Sequence, residues 1–276
     1  MDRRAAERRR ARLGHYTFWA AVWTVALGGL AYLLLPTLIV VLASFTASDY
    51  IAFPPEGLSL RWFGRLLAMH EVQAAAWRSV WIALAATAVA VGLGVAAAFP
   101  LVRSRFPGRE VLNAFLASPL VLPSLVYGLA ALMFVTALGL SLSTPVLVLS
   151  HVAIIVPYVV RTTAASLALL DPQLEEAARS LGANAWRAFW RVILPNLLPG
   201  VLTGGAFAFI SSFDNLTVSL FLAGPRQETL PIRLFAMIQF DLDPAAAAIS
   251  TALIALTLGI VLLAQWAVGL SRVIRL

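Results

Sequence analysis

Long uncharged runs alternate with short arginine-bearing segments along this 276-residue chain. A helix needs about 20 apolar residues to cross the hydrocarbon of a bilayer. Residues 16–45 and 79–102 carry no charged side chain and predict spans one and two. Residues 111–160 hold no Asp, Glu, Lys or Arg, too long a run for one crossing. The turn-like cluster Gly139 to Pro145 (GLSLSTP) divides them, so that spans three and four are expected over 111–138 and 145–168. Residues 195–222 predict span five and 244–270 span six, with Asp243 as its N-cap and Pro244 at the first helical position. The pattern predicts an all-α integral membrane protein with six transmembrane helices: a basic tail over 1–15, then a single domain over 16–276. The outer segments 49–77 and 223–243 are too short to fold around cores of their own.

Composition agrees. The chain is 61% hydrophobic and 12% charged, where a soluble domain carries about 25% charge. It has no cysteine, hence no disulfide frame or thiolate metal site. All 20 basic residues are arginine. Without lysine there is no P-loop, whose lysine grips nucleotide phosphates. Any ATP that drives this protein is therefore hydrolysed by another chain. The net charge of +7 suggests nucleic acid less than lipid, because the arginines gather at membrane flanks. Arg3, Arg4, Arg8, Arg9, Arg10, Arg12, Arg103, Arg105, Arg109, Arg179, Arg187, Arg191, Arg272 and Arg275 fall on one side; Arg61, Arg65, Arg78, Arg226 and Arg233 fall on the other. The more basic side faces the cytoplasm, which places both termini there. The basic start with a long first span reads as an uncleaved anchor rather than a signal peptide.

The segment 171–195 is a polar, arginine-bearing stretch between long apolar runs. Asp171-Pro172 reads as N-cap and first helical residue, and Gly182 suits the left-handed position past a helix end, so residues 172–181 predict a short helix. Asn184 can cap a second helix running to about Leu194, with Trp186, Phe189 and Ile193 on one face and Arg187 and Arg191 on another. The pattern Glu176-Ala177-Ala178, three residues, Gly182, nine residues, Val192-Ile193-Leu194-Pro195 resembles the "EAA" loop of ABC importer permeases, with Val192 in place of isoleucine. The resemblance implies the type I ABC importer permease fold, in which this loop forms cytoplasmic coupling helices seated in a groove of an ATPase subunit. It implies that Glu176 and Gly182 carry that contact, with Ala177, Ala178, Leu194 and Pro195 completing the motif. Amphipathic helices lying on the lipid surface would suit Trp186, Phe189 and Trp190, but would not account for the spacing.

Three further stretches resemble permeases of polyamine and related small-cation importers. Residues 53–63 (FPPEGLSLRWF) are similar to an outer segment before span two, and residues 118–128 (SPLVLPSLVYG) to a "P-l-v-x-P" stretch. There Pro119 and Pro123 free backbone carbonyls and bend the helix, with Tyr127 beside them; they either line a pathway or form a simple kink. Ser211 to Asn215 (SSFDN) interrupts span five and, with Gly224-Pro225 and Thr229-Leu230-Pro231, resembles an "SFDD…GP…TLP" run whose second acid is here Asn215. Asp214 either lines the passage with Ser211 and Asn215 or caps the helix break, since an acid at membrane depth is costly. The small-residue pairs Gly200/Gly204 and Gly92, Gly94 and Ala98 suit close helix contact. His15, His70 and His151 are isolated, and His151 suits a hydrogen-bonded packing role.

The implied protein is a transport subunit, not an enzyme, in a bacterial inner membrane. Its partners would be an ABC ATPase dimer that binds ATP and Mg, a second permease forming a heterodimer, and a periplasmic or extracellular solute-binding protein. The chain itself would hold no cofactor and no metal. The solute expected is a polyamine or related small cation; amino acids or derivatives, thiamine, iron and phosphonates stay open. A secondary transporter would need more intramembrane ion-coupling groups than Asp214 and His151, and a membrane enzyme would need clustered acids or histidines.

Overall fold

The computed structural model describes residues 3–51, 53–241 and 243–273. Chain contacts divide the protein into two compact units, Met1–Arg65 with Leu242–Thr251, and Leu66–Asp241 with Ala252–Leu276; the sequence had read as a single domain. Among the described residues there is no strand, only an isolated bridge between Thr46 and Leu58.

In chain order the helices are α1 (Arg3–Ala43), α2 (Arg61–Leu66), α3 (His70–Arg103), α4 (Arg109–Ala117, extended by a 3-10 turn to Leu120), α5 (Ser124–Ala137), α6 (Thr144–Leu169) and α7 (Gln173–Ser180). There follow α8 (Ala185–Ala188), a π-helical turn (Phe189–Ile193), α9 (Leu194–Phe213), α10 (Leu216–Leu222), α11 (Leu230–Ala236), a second π-helical turn (Met237–Asp241) and α12 (Ala245–Val273). Five helical stretches are long and apolar enough to cross a membrane, within α1, α3, α6, α8–α9 and α12. Span three departs from the expectation of one bent helix. Arg109–Leu120 and Ser124–Ala137 meet at 105°, a broken span or a re-entrant loop. The cause is local. Pro119 and Pro123 lie four apart, Pro123 carries an extended backbone at ψ 129°, and neither nitrogen can donate the bond that would continue a helix.

In the smaller unit, Trp62 is buried and its indole N–H donates to the Thr46 carbonyl at 3.1 Å. The guanidiniums of Arg61 and Arg65 lie over its ring at 4.5 and 5.3 Å and pair with Asp49 and Asp243. Asp243 also accepts from the Ala245 amide at 2.9 Å, the cap expected for the last helix.

In the larger unit α3, α6 and α9 pack on one another. Lipid gives apolar helices no reason to associate, so contact depends on how closely backbones can approach. Glycines permit it. A Cβ at Gly94 of α3 would sit 2.6 Å from Val159 Cβ of α6; one at Gly200 of α9 would meet Ser166 Oγ and, at 2.7 Å, the Thr162 carbonyl; one at Gly204 would lie 2.9 Å from Val159 Cα. Gly92, expected to share this role, faces open space, while Ala98 is fully buried.

Polar ties join the same frame. His151 of α6 is 1% exposed, so water cannot serve its ring; Nδ1 lies 2.8 Å from Ser212 Oγ and Nε2 3.1 Å from Ser219 Oγ. One imidazole thus joins α6 to both sides of the α9–α10 break. Ser79 Oγ of α3 accepts from the Leu230 amide at 2.8 Å, Arg78 donates to the Glu228 carbonyl, and Arg233 pairs with Glu71, tying α11 to α3.

Two outcomes are expected in detergent-solubilised protein. Gly94→Leu, overpacked against Val159, should lose about 1–3 kcal/mol of stability, whereas Gly92→Ala should unfold within experimental error of the unmodified chain. His151→Leu should cost about 1–3 kcal/mol for each serine hydroxyl left buried and unpaired; thermal unfolding monitored by circular dichroism checks both.

Candidate functional site

The polar segment between α6 and α9 is built almost wholly from local capping. Asp171 Oδ1 accepts from the Gln173 amide at 2.9 Å, and the amides of Glu175 and Glu176 bond back to the Pro172 carbonyl, so Asp171 and Pro172 start α7. At the far end Gly182 stands at φ +88°. Its amide bonds to Arg179 O at 2.9 Å and that of Ala183 to Ala178 O at 3.0 Å. This is the paired arrangement that satisfies terminal carbonyls through a left-handed residue, which glycine adopts without Cβ strain. Glu176, Ala177 and Gly182 are exposed and Ala178 half-buried, all on this one projecting turn.

Asn184 Oδ1 then accepts from the Arg187 amide at 2.8 Å and opens the next helix. That helix does not stop near Leu194, as its sequence suggested. It runs from Ala185 to Phe213 without a break long enough to separate two helices. Pro195 lies in the first turn of α9, where the ladder has widened: the Leu194 amide reaches the Phe189 carbonyl, an i to i+5 bond. The wide turn leaves the proline position without a demand for its missing N–H. It also splits the expected apolar face. Phe189 turns in against Phe99 (6.1 Å) and Ile193 is buried, but Trp186 stays out, 69% exposed, edge-on to Trp190 at 5.4 Å. Leu194 and Pro195 therefore sit in the root of a membrane-spanning helix rather than on the projecting turn with Glu176 and Gly182.

At the other end of α9 the chain breaks after Phe213. The cap of α10 is Asn215, whose Oδ1 accepts from the Val218 amide at 2.9 Å. That leaves the neighbouring Asp214 carboxylate free of capping duty. Asp214 is exposed, Ser211 half-buried, and no side-chain bond to Asp214 occurs among the described residues. The proline bend lies elsewhere: Pro119 and Tyr127, with Phe115, Leu122, Leu93 and Val156, line a mostly apolar cavity of about 500 Å³. Tyr127 Oη donates to the Ser150 carbonyl at 3.2 Å, and Pro123 is exposed at the start of α5. The structure thus gathers the candidates into four places.

One residue escaped the sequence reading. The flank tally accounts for all arginines but Arg161, which lies inside α6 and within the predicted fourth span. A charge inside a span is itself the signal that should have singled it out.

Comparison with known proteins bears on the whole chain. Residues 90–272 match the family described as the inner membrane component of binding-protein-dependent transport systems. The spermidine/putrescine transport system permease protein PotC of Haemophilus influenzae is 34% identical over 235 residues, covering 85% of this chain and 91% of that protein. The molybdenum transport system permease protein ModB of Mycobacterium bovis is 35% identical over 219 residues, covering 72% and 82%. Among solved structures, a chain of a bacterial alginate ABC transporter in complex with an alginate pentasaccharide-bound periplasmic protein superposes with a TM-score of 0.68 at 14% identity, over 92% of this chain and 94% of that one. The chain belongs to the family of binding-protein-dependent transport system inner membrane components, as a multi-pass permease subunit and not an enzyme.

Proposed function

We propose that this chain forms the solute path of an ATP-driven importer for a polyamine or related small cation, and that residues 176–182 receive the stroke of a separate ATPase. The observation that carries the coupling assignment is the exposed, glycine-closed turn of α7 followed directly by the continuous helix Ala185–Phe213. The partners in this reading are an ABC ATPase dimer, which binds ATP and Mg, a second permease subunit forming a heterodimer, and a solute-binding protein on the outer face. This chain holds no cofactor. The termini and the loop are cytoplasmic, by the balance of fourteen flanking arginines against five.

The mechanism follows from stiffness. A helix of 29 residues spans about 44 Å at 1.5 Å per residue and moves as a body. Closure of the ATPase dimer displaces α7; the short link at Gly182 to Asn184 passes the displacement to α8, and α9 carries it into the packed core with α3 and α6. At its far end the helix stops at Asp214, so a shift of α9 moves that carboxylate. Glu176 and Gly182 make the ATPase contact, while Leu194 and Pro195 transmit it. Asp214, with Ser211 and Asn215, lines the path or its outer gate; Pro119, Pro123 and Tyr127 give the bent third span its freedom to open.

Relatives of nearly equal identity are named for quite different solutes, spermidine/putrescine and molybdenum. The polyamine reading draws support from the greater coverage of the former and from Asp214. A lone exposed carboxylate on a membrane-spanning segment favours a cation, and the asparagine beside it leaves one negative charge instead of two.

Glu176→Lys and Gly182→Val should each lower ATP-dependent uptake by about tenfold or more, a loss of coupling worth at least 1.4 kcal/mol, with membrane insertion unchanged. Uptake at the unmodified level in either variant would remove the loop from the coupling path. Asp214→Asn should reduce uptake of radiolabelled putrescine while the complex still assembles; undiminished uptake would confine Asp214 to a structural role.

A further inference from the structure

Arg161 stands eight residues before the end of α6 at Leu169, about 12 Å along the helix at 1.5 Å per residue. A guanidinium at that depth requires a counter-charge, water or a headgroup within reach. Arg161 is exposed and forms no ion pair among the described residues, although Glu110 lines the same cavity. That cavity measures about 520 Å³ and lies among the ends of α3, α4 and α6. Arg109, Glu110, Asn113 and Arg161 give it polar walls; Ala164 and Ala168 give it an apolar one. Arg109 spends only Nε on the protein, donating to the Leu101 carbonyl at 2.7 Å, so its two terminal nitrogens stay available. An adjoining cavity adds Arg105 beside Arg109 and Glu110.

We propose that this cavity binds a phosphate-bearing anion, carried either by the headgroup of an anionic phospholipid in the cytoplasmic leaflet or by free phosphate. Two planar guanidiniums present forks of donors that match phosphate oxygens, and the Asn113 amide adds another donor. The single carboxylate, Glu110, leaves the walls net positive while limiting the site to a singly or doubly charged ligand. The apolar strip along Ala164 and Ala168 suits the first carbons of an acyl chain entering from the bilayer. Basic pockets between membrane helices on the cytoplasmic side are where acidic headgroups collect. The assignment to that leaflet rests on the orientation proposed above; the anion chemistry does not.

The test uses the whole transporter complex, delipidated and returned to phosphatidylcholine nanodiscs with or without phosphatidylglycerol. Bound lipid is counted by native mass spectrometry, and inorganic phosphate is titrated in a parallel arm. Retention of phosphatidylglycerol over phosphatidylcholine by the unmodified complex, weakened about tenfold in Arg161→Gln and in Arg109→Gln, supports the site with lipid as the source. Displacement by inorganic phosphate, or phosphate-dependent thermal stabilisation lost in the same variants, supports it with free phosphate as the source. Arg161→Lys, which keeps the charge, and Arg226→Gln, an exposed arginine elsewhere, control for folding. Equal binding of both anions by all variants would overturn the proposal. Orientation is read separately: the chain has no cysteine, so labelling of Ser180→Cys by a membrane-impermeant thiol reagent reports the side of the loop. A failure there would leave the binding result standing.

Discussion

The approach of α3 and α9 onto α6 is the constraint from which the larger unit is built. In water, burial would drive such helices together; in lipid they gain only contact, hydrogen bonds and whatever close packing returns. Gly94, Gly200 and Gly204 remove the Cβ atoms that would hold the backbones apart. The small or short-branched residues opposite them, Val159, Thr162 and Ser166, recur along one face of α6. Further helices attach to this frame: α10 through His151 and against α5, α11 through Ser79, Arg78 and Glu71. Helix α6 is thus the spine of the unit, and Arg161 lies on another face of it, beside α4.

A frame of this kind allows broken helices, provided each break satisfies its own backbone. At membrane depth an unpaired N–H or carbonyl costs several kcal/mol. The two interruptions meet that demand differently. At Asp214 the break is closed by side chains: Asn215 caps α10, and the Asp214 amide still bonds to the Ile210 carbonyl. At Pro119 to Pro123 the missing donors are the prolines' own, so the chain turns through 105° with fewer groups to satisfy. The π-helical turn at Phe189 is a third solution, in which a ladder is widened rather than broken. A helix that must join a projecting loop to a packed core gains a rotation of its apolar face this way without losing continuity.

These features differ in how far they could be read from the sequence, and range explains the difference. Spans, caps and the glycine-closed end of α7 arise from residues within a few positions of one another, and Asp171, Gly182, Asn184 and Asp243 reveal them directly. The right-angle bend at Pro119 was visible only as a bend, because its size depends on what α3 and α6 leave room for. The continuity of α8 into α9 was hidden because Pro195 looks like a helix boundary until the wide turn before it is known. His151 looked isolated: its partners Ser212 and Ser219 lie 61 and 68 residues away. Arg161 is a different case. It was legible, and was passed over because the flanks rather than the spans were searched for charge.

Asp214 and Arg161, neither of them ion-paired among the described residues, lie at different depths of the frame. Asp214 follows the last residue of α9, and Arg161 lies in the half of α6 that leads to α7. Ser212, two residues before Asp214, meets His151, and the ten residues of α6 from His151 to Arg161 set the two charges about 15 Å apart along the helix direction, too far for an ion pair. Under the proposed reading, a carboxylate left open at the end remote from the ATPase would attract a cation arriving there, and arginines at the near end would not hold it once it had passed. A path for a small cation gains by that order of charges, since conduction needs a favourable entry and an exit that does not retain the solute.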